Sequence, residues 1–184
     1  MADQKEKSAV RWSDVKAGLA GLDHDGLLKL VQDLYAASKD NQVFLHTRLG
    51  LGGDVLAPYK ATIGRWLWPD VYKNQDVSVA KAKKAITDYR RAGGQPAGLA
   101  ELMVFYCEQS AGFCANIGMQ DESHFDALVR MVEEALKTSV GLPEEQRDAL
   151  CARLDAVRDV GQNLGYGVGE DMDVLLARYG FEGD

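Results

Sequence analysis

The sequence predicts an all-α protein of about seven to eight helices packed as antiparallel hairpins, and a short HEAT-like stack is one way to arrange them. Apolar residues recur every three or four positions along most of the chain, as they do on the buried side of a helix. Strict alternation of apolar and polar residues is never sustained, so no stretch predicts a β-strand. Glycine and proline separate the helical stretches, most clearly at Gly93, Gly94 and Pro96.

The first third of the chain is predicted to form three helices. Ser13 is the expected N-cap of a short first helix, and Trp12 is expected to pack back on its first turn. Residues 23–25 end that helix and cap the second, and a shorter third helix covers residues 40–49. The second helix carries a broad apolar side made of Leu27, Leu28, Leu30, Val31, Leu34 and Tyr35.

The glycines at 50–53 indicate a turn, because no strand precedes them and no GKS or GKT follows, as a phosphate-binding loop would require. A fourth helix follows, with Pro58 in its first turn, and Pro69 ends it. Trp66 continues the apolar stripe of this helix and is predicted to lie in the core. Trp68 lies at the helix end, where we expect it to cover the edge of the core rather than form a contact surface.

The predicted hairpin at 78–117 is the centre of the fold. Its first helix begins at Ser78 as N-cap and has a narrow apolar stripe: Val79, Ala82, Ala85, Ile86 and Tyr89. Its second helix is the most apolar in the chain, so it is expected to form the middle of the core. The cysteines, Cys107, Cys114 and Cys151, have no CxxC spacing and are interpreted as small buried hydrophobic residues.

Three more helices are predicted towards the C-terminus. One begins at Asp121 or Ser123 and ends at Gly141, the next has Pro143 at its first position, and the last covers residues 171–179. The expected domain organisation is a flexible N-terminus, residues 1–11, followed by a single helical domain, residues 12–184.

The first helix of the 78–117 hairpin is unusually basic. Residues 78–94 contain five lysines and arginines and one acid, a net charge of about +4 in a chain whose total is −7. A solvated helix face with internal ion pairs would also account for this composition. The candidate binding residues are Lys81, Lys83, Lys84, Arg90 and Arg91.

Composition narrows the function classes. The net charge of −7 argues against generic nucleic-acid binding, which usually needs a basic domain. No apolar run reaches the length of a membrane span, and the N-terminus lacks a hydrophobic signal region, so a cytoplasmic location without membrane attachment is expected. No catalytic residue, metal site or cofactor is predicted, because HExxH, GxSxG and comparable patterns are absent from the sequence.

The chain resembles a bacterial family of small helical proteins of unknown function over roughly residues 13–138. The similarity is carried by KAKKAITDYRRAGG, by LAELMVFYCEQSAGFCANIG and DESHFDALVRMVEEAL, and upstream by LLKLVQDLYAASKDNQVFL. The motif KAKKAI-x-D-Y-x-x-x-GG is its most specific part, and residues 139–184 are less securely covered. The resemblance implies a helical fold of stacked hairpins and supplies no activity.

Two functions are therefore open. The favoured one is a non-enzymatic interaction module that binds a protein or another anionic partner through the basic helix. The alternative is a small-ligand-binding protein or an enzyme with a pocket near Tyr35, Trp66, Tyr106 and Cys107. Homodimerisation through apolar surface at Trp68 or the last helix is a further possibility.

Overall fold

The structure, a computed structural model, describes residues 10–179, and all regular secondary structure within that range is helical. The all-α prediction is confirmed. Nine α-helices form there, one more than the upper end of the predicted seven to eight. They are α1 (Trp12–Leu19), α2 (His24–Ala37), α3 (Lys39–Leu49), α4 (Ala57–Leu67), α5 (Val79–Arg91), α6 (Pro96–Ile117), α7 (Glu122–Ser139), α8 (Glu144–Gly161) and α9 (Val168–Arg178). Most of the predicted flexible terminus, 1–11, lies outside the described residues.

The chain divides into two compact units, residues 1–43 and 44–184. That residues 12–184 form a single domain stays a prediction. In the first unit, the Asp23 carboxylate accepts a hydrogen bond from the Gly26 N–H (2.8 Å), which confirms the predicted cap of α2. The expected cap of α1 at Ser13 is wrong. Helix α1 begins at Trp12, and the Asp14 carboxylate accepts from the Arg11 N–H (2.8 Å) instead.

Most large apolar side chains of the first unit are exposed, while Leu19 and Val43 are half-buried. Among its described residues none is buried, although α2 has the broad apolar side that the sequence predicts. Trp12 is 69% exposed, so the predicted contact of Trp12 with the first turn of α1 is wrong. The described residues therefore do not bury the apolar side of α2 that the periodicity predicts.

The second unit is built around α6. Helices α4, α5, α7 and α8 all contact α6, and α9 contacts α7 and α8. Ten of the 22 residues of α6 are buried, and Tyr106 and Phe113 are among the largest enclosed side chains. The prediction that this helix forms the middle of the core is confirmed.

The turn between α5 and α6 is organised around Tyr89. Ser78 caps α5 by accepting a hydrogen bond from the Lys81 N–H, as predicted. At the other end, the Tyr89 ring occupies the space that side chains at Gly94 and Gly98 would need. Its hydroxyl accepts from the Gln95 N–H (3.1 Å), and its ring meets Tyr59 edge-on at 5.2 Å between centroids. The glycines after α5 are needed for this close approach as well as for the turn.

Helix boundaries further along depart slightly from prediction. Asp121 is the N-cap of α7, and its carboxylate accepts a hydrogen bond from the His124 N–H (3.1 Å). It is one of the two caps that the sequence predicts, the other being Ser123. Pro143 precedes α8 as its N-cap instead of occupying its first position. Helix α9 begins at Val168, three residues before the predicted start, because Gly167 takes the left-handed conformation that lets the chain turn into a helix there.

Candidate functional site

The basic side of α5 faces solvent because the opposite side is buried. Ala82, Ala85, Ile86 and Tyr89 are at most 4% exposed, which confirms most of the predicted stripe; Val79 is half-buried. Four of the five candidate cations, Lys81, Lys84, Arg90 and Arg91, are exposed, while Lys83 is half-buried.

Little of this positive charge is neutralised locally. Lys84 pairs with Asp88, the one acid of α5, four residues further along the helix. Within residues 10–179, neither Arg90 nor Arg91 lies within ion-pair distance of a carboxylate. Both are in the last turn of α5, where the helix dipole favours cations. The two charges therefore destabilise the helix little, and both arginines remain available to bind an external anion.

Trp66 connects α5 to further positive charge on α4. The Lys81 Nζ lies 3.8 Å from the centroid of the indole ring, and the Arg65 guanidinium carbon lies 4.5 Å from it. Such cation–π contacts offset part of the repulsion between the two cations. Trp66 is half-buried beneath them, so the prediction of a core position is wrong: the helix turns its indole to the edge shared with α5.

Helix α4 has no acidic residue, so α4 and α5 together hold seven cations and one acid. One of the seven, Lys60, is neutralised by Glu101 on α6 at 2.6 Å. We use the name basic face for the rest of the set: Arg65, Lys81, Lys83, Lys84, Arg90 and Arg91. Arg65 was missed from the sequence because it lies outside the segment 78–94, although its position next to a tryptophan was a signal.

Comparisons with known proteins do not place the chain in a family. No family model matches it, and neither a curated protein nor a solved structure shows significant similarity.

Three of the four residues predicted to line the alternative pocket, Trp66, Tyr106 and Cys107, lie in the second unit. Tyr106 and Cys107 are fully buried neighbours on α6, Trp66 lies beneath two cations, and Tyr35 belongs to the first unit. Burial raises the pKa of the Cys107 thiol well above its ordinary value, which disfavours a reactive thiolate. The Tyr106 hydroxyl is buried and has no hydrogen-bond partner among the described residues.

A buried serine–histidine pair joins α6 to α7. The Ser110 Oγ lies 2.9 Å from the His124 Nε2, and both residues are at most 4% exposed. Desolvation lowers the pKa of His124, while the Asp121 carboxylate opposes that shift. Because this carboxylate receives the backbone N–H of His124, it acts as the α7 cap rather than as the third member of a triad. Although His124 lies in the first turn of α7, its side chain satisfies a polar contact inside the core.

Charged side chains also clamp the core helices together. Arg153 on α8 forms a fork with the Glu108 carboxylate (2.7 and 2.8 Å) and also bonds Glu101, which in turn holds Lys60 of α4. These bonds with the glutamates raise the pKa of Arg153, so it stays charged. Both cations of this network are paired with its glutamates, so neither is available to an external anion.

Neither a metal-binding cluster nor a membrane-spanning helix is found among the described residues. Between residues 10 and 179, no group of three or more histidine, cysteine, aspartate or glutamate side chains is arranged to hold a metal ion. The helices in that range also lack the combination of length and apolarity that is needed to cross a bilayer.

Proposed function

We propose that the chain is a non-enzymatic interaction module that binds an anionic partner through its basic face. The observation that carries this proposal is the excess of cations on α4 and α5, where only Lys60 and Lys84 form ion pairs among the described residues. In a chain with a net charge of −7, such a surface concentrates positive potential at one place. It would attract an anion to that place and orient it there.

The partner we favour is an acidic segment of another protein. Base stacking by a nucleic acid at the basic face would need an accessible aromatic ring within that face. The indole of Trp66 is instead covered by Lys81 and Arg65. Carboxylates can approach these cations and the arginines at the end of α5 without displacing that contact.

Fluorescence anisotropy with a labelled deca-glutamate peptide would test the proposal directly, with a single-stranded RNA of similar charge as the comparison ligand. Lys81→Glu/Lys84→Glu/Arg91→Glu should weaken peptide binding by at least about 10-fold, since each reversal replaces an attraction by a repulsion. Raising the salt from about 50 to about 300 mM should also weaken it, because surface charges are screened.

A matched control keeps the change in net charge constant. Lys16→Glu/Lys39→Glu/Arg130→Glu reverses three exposed cations outside the basic face and should bind the peptide nearly as the wild type does. Equal losses in both triple variants would show that only net charge matters and would refute the site. Tighter binding of RNA than of the peptide would refute the choice of partner.

A small-ligand function has one observation in its favour: the Tyr106 hydroxyl has no hydrogen-bond partner among residues 10–179. A bound polar molecule could satisfy it. Native mass spectrometry of gently purified protein should then show an adduct in the wild type that is lost in Tyr106→Phe. The absence of an adduct from both proteins would remove this candidate.

We also propose the helix arrangement and the family membership that the sequence predicts. Antiparallel hairpins in a short HEAT-like stack are supported by the contacts of α4 with α5, of α5 with α6 and of α6 with α7. Membership of the bacterial helical family rests on the KAKKAI-x-D-Y-x-x-x-GG motif, which covers α5 and its terminal glycines. A cytoplasmic location stays an expectation of that resemblance and of the composition.

A further inference from the structure

The apolar side of α2 stays partly exposed among the described residues. Leu27, Leu28, Leu30, Val31 and Leu34 are each 36–55% exposed, and none of the described residues of the first unit is buried. Helix α2 has 14 residues, and isolated helices shorter than about 12–15 residues are only marginally stable in water. Such a helix usually depends on burial of its apolar side, so this one needs a partner surface.

We propose that α1 and α2 form the interface of a homodimer, in which the apolar side of α2 packs against the same side of α2 in a second copy. This arrangement is self-complementary, as the two-fold interfaces of most homodimers are. The interface lies in the first unit and is separate from the basic face, so it does not rest on the proposed function.

The available area is close to what a stable dimer needs. Trp12, Val15 and Leu22 are 44–69% exposed and add to the apolar surface of α2. The exposed parts of these eight residues are equivalent to nearly four complete side chains. Their area is at most roughly 600–900 Å², because aromatic side chains carry about 150–250 Å² each and all of these residues except Trp12 are smaller aliphatic ones. Each partner in a standard specific interface contributes about 800 Å².

The charge of this region favours a second copy over a partner of opposite charge. Residues 10–43 contain four lysines and arginines and five acids, so two copies would hardly repel each other. On α2 itself, Lys29 is already paired with Asp33 at 2.8 Å. The surface therefore offers apolar area with little net charge, which is typical of homodimer interfaces.

Sedimentation equilibrium of the full chain, between about 1 and about 100 µM, would test the dimer. The wild type should approach twice the mass of one chain at the upper concentration. Leu28→Glu/Leu34→Glu changes the two most exposed leucines of α2 and should weaken the association at least about 100-fold, because it would bury four carboxylates in the interface. The thermal transition of the second unit should be unchanged, since these residues contribute nothing to its core.

Val140→Glu/Val174→Glu is the matched control. Both valines are as exposed as the leucines, at 55% and 57%, but they lie after α7 and on α9. This variant should dimerise like the wild type. A monomeric wild type at about 100 µM would overturn the proposal, and so would a dimer that the leucine substitutions leave intact. A dimer disrupted by the control variant instead would place the interface elsewhere.

Discussion

The buried pair of Ser110 and His124 gives the sharpest test of the core. Ser110→Ala removes the hydroxyl and leaves the imidazole nitrogen without a partner at a position with almost no solvent access. An orphaned buried polar atom costs about 1–3 kcal/mol of folding free energy. For a protein of this size, that corresponds to a fall in Tm of about 2–12 °C. Ser110→Ala/His124→Leu removes both polar groups and should recover most of the loss, because no unsatisfied atom remains.

The same histidine predicts how stability depends on pH. Its pKa in the folded protein is lowered from 6.5, so the unfolded chain binds the proton first as the pH falls. The contribution of His124 is therefore complete above pH 6.5 and is lost as the pH falls from there towards the lowered pKa, by at most about 1.4 kcal/mol per pH unit. His124→Leu should lack this component.

Urea denaturation followed by circular dichroism at pH 7.5 and 5.5 would measure both effects. The wild type should lose more stability between the two pH values than His124→Leu does, because most carboxylates remain ionised in that interval. Our reasoning would be wrong if Ser110→Ala matched the wild type, or if the double variant were as unstable as Ser110→Ala. Equal pH dependence of the wild type and His124→Leu would refute the interpretation of the lowered pKa.

Three other predictions concern the second unit. Gly98→Ala should cost about 1–3 kcal/mol by urea denaturation, because its methyl group would overlap the Tyr89 hydroxyl, whereas Gly64→Ala, with ordinary space around its new methyl, should be neutral or stabilising. Arg153→Met should lower the free energy of unfolding by about 1–3 kcal/mol in the same assay, because it leaves two partly buried glutamates without their shared cation. The control Arg130→Met, at an exposed ion pair, should lower it by less than about 0.5 kcal/mol. The three cysteines are buried, and burial raises the pKa of Cys114 and Cys151 to about 11. A thiol reagent at pH 7.5 should therefore label the protein only after urea unfolds it, and rapid labelling of the native protein would contradict the structure.

Local rules predicted the local structure well. The caps at Ser78 and Asp23 were found because a short polar side chain before a periodic apolar stretch satisfies the free N–H groups of the first turn. The buried stripe of α5 was found from spacing alone. Both features depend on residues within one or two turns of each other, which the sequence displays directly.

Tertiary contacts were much harder to predict. Ser110 and His124 are 14 residues apart on different helices, and nothing in either local sequence indicates the pair. Glu101 and Glu108 did carry a signal: two acids seven residues apart on an apolar helix lie on one side of it and predict a cationic partner, but not that Arg153 supplies it. On α2, periodicity showed which side is apolar, but it could not show which surface buries that side.

The position of α6 has a consequence for how the second unit comes apart. Because four helices lie against α6, exposing any stretch of it requires several neighbours to leave together. Its backbone amides should therefore be among the last to exchange with heavy water, and a protease should reach it only when the whole unit opens.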